Sequence, residues 1–170
     1  MRRPAARVAP PSADDVLDRV RDTAAAATDL FAFYFAVHGF VDLESDELFL
    51  ALPGTDRARP WTGLSYDWIR RAVRHPSVRA KRKLIVLDCC YSGVVLGGTL
   101  ADDAADHAAV DGACVLTASA ETKTALAPRG EPFTAFTGEL ITMLTQGIPG
   151  GPAVLDVDTV YTYLRANLQA

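Results

Sequence analysis

Residues 84–93, LIVLDCCYSG, carry an aspartate and two adjacent cysteines directly after an apolar run, in a chain with three cysteines among 170 residues. A thiol becomes a nucleophile when a base, usually histidine, stands within hydrogen-bond reach of it. His38 is the matching base: it follows a second apolar run, LFAFYFAV at residues 30–37, and precedes Gly39. If both runs are parallel strands, their carboxyl ends share one edge of a sheet, and residues just past them face each other although 52 positions apart. Backbone N–H groups of Gly39 and Cys90 then point at the oxygen of an attacked carbonyl, forming an oxyanion hole. A side chain at position 39 would crowd the bond under attack. The chemistry this pattern suits is acyl transfer.

Each residue alone has a plainer reading. A histidine after a strand is often a structural hydrogen-bonder, and a cysteine on an apolar strand is often a small core residue. The pair shifts the balance, because both members sit at strand ends beside glycine-bearing turns. Neighbouring strand residues point to opposite faces, so only one of the two adjacent thiols faces the site. Asp88 shares the parity of Cys90, which directs its carboxylate to the same edge. The plainer role for Asp88 is a strand-end acid that caps nearby backbone N–H groups.

The elements that must position these residues alternate. Ser12 followed by Asp15 makes a capping box and predicts a helix over 13–28, with Val16, Leu17, Val20, Ala24 and Ala27 on its apolar face. Residues 30–37 are short and continuously apolar, as expected of a strand buried on both faces. A strand over 47–52 closes at the turn PGTD, and Ser65 caps a helix to His75, before Pro76, with Trp68, Ile69, Ala72 and Val73 inward. Strands are predicted at 83–87 and 113–118. A helix over 134–146 uses Phe136, Leu140, Ile141 and Leu144 and ends at Gly147. Asp156 caps a last helix with Val160, Tyr161 and Leu164 inward. This alternation predicts an α/β three-layer sandwich with a mostly parallel central sheet in a single domain over 1–170, after a loose lead-in of residues 1–11 that includes a short edge strand at 7–9.

The motifs YFAVHGF and LIVLDCCYSG, with the histidine about 50 residues before the cysteine, resemble the caspase and metacaspase clan. The Asp-x-Cys-x-Ser-Gly context resembles metacaspases and bacterial caspase-like proteins more than animal caspases. The stretches GACVLTASAETKTALA and FTAFTGELITML extend the resemblance over residues 30–168. The resemblance implies a cysteine endopeptidase with His38 as base, Cys90 as nucleophile, and Asp88 in the pocket for an Arg or Lys residue preceding the cut. Cys89 falls where relatives carry a small residue, which makes it a packing residue. The first βα unit of such domains has no counterpart at residues 1–15. That departure keeps a second reading open: a catalytically inactive scaffold that binds a partner, such as an effector complex in a bacterial conflict or cell-suicide system. A thiol redox module ranks third, because the cysteines are adjacent rather than spaced as C-x-x-C.

Composition excludes several other classes. The chain is 49% hydrophobic and 22% charged with a net charge of -4, unlike a general nucleic-acid or anionic-membrane binder. Residues 57–83 hold nine of the 17 Lys and Arg, which reads as a solvated basic helix and its flanks. No apolar run reaches the roughly 18 residues of a membrane span, and no secretory signal follows the first arginines. Adjacent cysteines suit reduced thiols, hence a cytoplasmic location. No metal or cofactor is assigned. Asp102, Asp103, Asp106 and Asp111 raise the question of the calcium that activates many metacaspases, but their spacing matches no calcium loop and reads as a solvated acidic loop. Residues 94–112 contain no Lys or Arg, so an enzyme cutting after basic residues would act uncut there, with Lys123 and Arg129 the nearest basic sites.

Overall fold

Ser12 and Asp15 start the first helix as their spacing predicts. The Asp15 backbone N–H donates to Ser12 Oγ at 3.2 Å, and the Ser12 N–H donates back to the Asp15 carboxylate at 2.9 Å. Bonds from the Ser12 hydroxyl and N–H hold the Asp15 carboxyl below its ordinary range, so its contribution to stability fades as pH falls through that range. Replacing Ser12 by Ala is expected to destabilise the chain by about 1 kcal/mol, read as a lower urea midpoint.

In the computed structural model the described residues are 10–45, 47–89, 113–118, 130 and 132–168. Along the chain they form α1 (Ala13–Ala26), β1 (Leu30–Ala36), β2 (Gly39–Asp42), β3 (Glu47–Leu50), β4 (Leu64–Ser65), α2 (Tyr66–Arg74), β5 (Arg82–Asp88), β6 (Ala113–Thr117), α3 (Ala135–Gln146) and α4 (Val157–Leu168). The expected edge strand at 7–9, the acidic loop at 94–112, and Lys123 and Arg129 lie outside them.

β1, β5 and β6 form a parallel sheet in the order β1-β5-β6. Alternation along β5 sends successive side chains to two different cores. Ile85, Leu87 and Cys89 pack with Val20 and Ala24 of α1 and with Tyr66, Ile69 and Val73 of α2. Leu84 and Val86 face Phe136 and Met143 of α3 and Val160 and Leu164 of α4. Helices therefore flank both faces of a parallel sheet, the α/β sandwich that the alternating pattern predicts.

Several details differ from the sequence reading. β1 is not buried on both faces: Leu30 and Tyr34 are half exposed, because α3 and α4 cover β5 and β6 while β1 forms an edge of the described sheet. A separate antiparallel sheet, β2-β3-β4, contains the strand expected at 47–52, but its short partners β2 and β4, of four and two residues, were not expected. It stacks Phe40 on Phe49 and sends Leu48, Leu50 and Leu64 into the α1/α2 core. Trp68 lies outward under the Arg71 guanidinium, and Tyr66 takes its place in the core. Ser65 sits at the α2 N-cap, but its hydroxyl donates to Glu47 Oε1 at 2.7 Å rather than to the helix. On α3, Ile141 and Leu144 are exposed and Met143 is buried in their place. Gly147 ends α3 with φ +77°, and Asp156 accepts the Thr159 N–H at the start of α4. No described helix is long and apolar enough to cross a membrane.

Candidate active site

Two of the residues singled out by their chemistry lie at the carboxyl ends of β1 and β5: His38 just past β1 and Asp88 as the last residue of β5. β1 pairs with β5 in parallel register from Leu30 with Arg82 to Ala36 with Asp88. Every pair is 52 residues apart, which is also the separation of His38 and Cys90. Cys90 itself lies outside the described residues. His38 follows β1 by two positions and is exposed; among the described residues its ring makes no hydrogen bond.

Gly39 opens β2 opposite Leu50 of β3. The Ala51 N–H donates to the His38 carbonyl at 2.8 Å, so positions 38 and 51 form a hydrogen-bonded pair of the ladder. Antiparallel ladders alternate, which makes Gly39 the next, non-bonded position and turns its N–H away from β3. The short antiparallel sheet thus fixes the backbone that follows the histidine without consuming the Gly39 donor.

Cys89 is fully buried in the α1/α2 core, on the opposite face of β5 from Asp88. Tyr66 packs in the same core. Burial pushes its phenol well above its ordinary value, with Arg70 and Arg74 pulling the other way, so it stays neutral. This wall of the sheet is a packed interior.

Asp88 is 1% exposed and turns toward α3. The hydroxyls of Thr134 and Thr137 both donate to its Oδ2, while Oδ1 is buried with no hydrogen-bond partner among the described residues. Thr134 is also the α3 N-cap, accepting the Thr137 N–H at 3.1 Å. The Thr137 hydroxyl, already donating to Asp88, takes the Tyr34 hydroxyl as its donor at 2.5 Å. Among the described residues, Asp88 is held by side-chain hydroxyls. FTAFT could be read as a helix start, but nothing local in it shows that Thr134 and Thr137 meet an acid 46 and 49 residues away.

A caspase-domain family model matches residues 6–169. The chain belongs to the caspase-domain family. Membership carries the coarse chemistry of a cysteine peptidase, with proteins as substrates. A search of curated proteins gives no significant match. Within the caspase domain, β1, which precedes His38 and Gly39, and β5, which ends in Asp88, are adjacent and parallel. The described residues contain no group of three or more His, Cys, Asp or Glu able to hold a metal ion. Asp102, Asp103, Asp106 and Asp111 lie outside them.

Proposed function

We propose that this caspase-domain protein is a cysteine endopeptidase that cuts after Arg or Lys through a His38 and Cys90 dyad. The observation that supports the reading is that β1 and β5 are adjacent and parallel, so the strands that precede His38 and Cys90 in the sequence end at the same edge of the sheet. The Cys90 thiolate attacks the scissile carbonyl, and the oxyanion draws on the N–H groups of Gly39 and Cys90. His38, carrying the thiol proton, gives it to the leaving amine as the C–N bond breaks. It then takes a proton from water, which attacks the thioester, releases a carboxyl terminus and regenerates the thiol. The buried Asp88 oxygen supplies the negative charge for a basic side chain before the cut. A thiol nucleophile of this kind suits a reducing cytoplasm.

The test compares fluorogenic peptides ending in Arg, Lys or Asp. Arg and Lys peptides are expected to be hydrolysed and the Asp peptide spared. His38→Ala is expected to lower kcat/KM by about 10²- to 10⁴-fold, the usual contribution of a positioned acid–base. No turnover, together with a Cys90 thiol that resists iodoacetamide at neutral pH in the folded chain, would reject the peptidase and favour the partner-binding scaffold.

A further inference from the structure

Asp88 is an unusual acid. Its carboxylate is buried, yet no Lys, Arg or His among the described residues forms an ion pair with it. A buried carboxylate oxygen without a donor is costly, and in native proteins such an atom needs an explanation. The two oxygens are also unequal. Oδ2 accepts from both Thr134 and Thr137, which fills the two lone-pair directions of one oxygen. The donor chain from Tyr34 through Thr137 ends on the same atom. Oδ1, itself buried, accepts no hydrogen bond from the described residues.

This asymmetry bears on which cation fits. A guanidinium gains most from a carboxylate when two parallel N–H groups meet two oxygens. An ammonium is a compact point charge with three rotatable donors and needs only one oxygen. We propose that Thr134 and Thr137, by filling Oδ2 of Asp88, leave one carboxylate oxygen for the ligand and so set the site to prefer a primary ammonium, a Lys side chain, over the two-pronged guanidinium of Arg. The inference rests on the peptidase reading for its substrate, and it makes Thr137 a positioning residue. Thr137 is the better of the two to probe, because Thr134 also caps α3. Alanine at 137 stays compatible with the first turn of a helix, and Tyr34, half exposed, can turn its hydroxyl to water.

The measurement is the ratio of kcat/KM for two peptides that differ only in a terminal Lys or Arg. The wild type is expected to favour Lys. Thr137→Ala removes one donor from Oδ2 and makes room beside it, and is expected to raise the Arg-to-Lys ratio about tenfold, the worth of one hydrogen bond to a charged group. Thr137→Ser keeps the hydroxyl and is expected to keep the wild-type ratio. A wild type that favours Arg, or a ratio that stays the same in Thr137→Ala while the melting temperature falls, would show that the threonines only fasten α3 to the sheet and would overturn the proposal.

A second readout does not depend on peptide hydrolysis. The full chain carrying Cys90→Ala is titrated with n-butylammonium and with n-butylguanidinium chloride, followed by NMR. Tighter binding of the ammonium, lost in Asp88→Asn and reversed by Thr137→Ala, upholds the inference even if no peptide is cut. Equal binding of the two cations, or binding of neither, sinks it whether or not peptides are cut.

Discussion

Cys90→Ala is expected to remove hydrolysis of Lys- and Arg-ended peptides by roughly 10⁴-fold or more, as loss of a covalent nucleophile does when the remaining groups act as one unit with it. Cys89→Ala is expected to act on stability instead. The Cys89 side chain is fully buried with Leu87 and Tyr66, so truncation leaves a small void and destabilises the chain by about 1 kcal/mol. The two residues are chain neighbours with opposite parities, which makes the pair a direct test of the strand geometry. Kinetics of both variants beside urea unfolding curves separate the outcomes. Equal hydrolysis by the wild type and Cys90→Ala would end the peptidase assignment, and loss of turnover in a stable Cys89→Ala chain would exchange the roles of the two thiols.

Leu87→Ala carries the largest expected effect on stability. Leu87 lies on β5, the central strand of the described sheet, with no exposed surface, and packs in the core shared with α1 and α2. Truncating a buried leucine costs about 2 to 5 kcal/mol through lost transfer energy and the cavity left behind. A domain is stable by only about 5 to 15 kcal/mol, so this change takes a large share. It also loosens the strand that leads to Asp88 and position 90, so activity and stability should fall together. Leu144→Ala on α3 serves as the contrast: its side chain is 65% exposed, and a change within about 0.5 kcal/mol is expected. Urea midpoints at constant slope give both values. A Leu87→Ala chain as stable as wild type would mean that β5 is not packed as described.

What the sequence by itself determined is what depends on near neighbours. The Ser12 and Asp15 box, the stop at Pro76, the glycine C-cap at Gly147 and the Asp156 cap are contacts over a few residues, so their spacing is readable directly. Period-two alternation likewise put Cys89 and Asp88 on opposite faces before any coordinates. Faces were less legible. β1 has the composition of a doubly buried strand, yet one face is open, because burial depends on where α3 and α4 land and not on the strand. Trp68, Ile141 and Leu144 are apolar but outward for the same reason, since a helix wheel gives the apolar arc and only packing picks which part of it is covered. The β3 strand was readable as the run at 47–52, but its partners β2 and β4 were not, because strands of four and two residues have too few alternations to show a period. Tertiary structure alone decided the partners of Asp88. Two threonines from a helix start more than 45 residues later close on one carboxylate oxygen and leave the other buried without a donor among the described residues, a long-range pairing to which no local pattern in the chain corresponds.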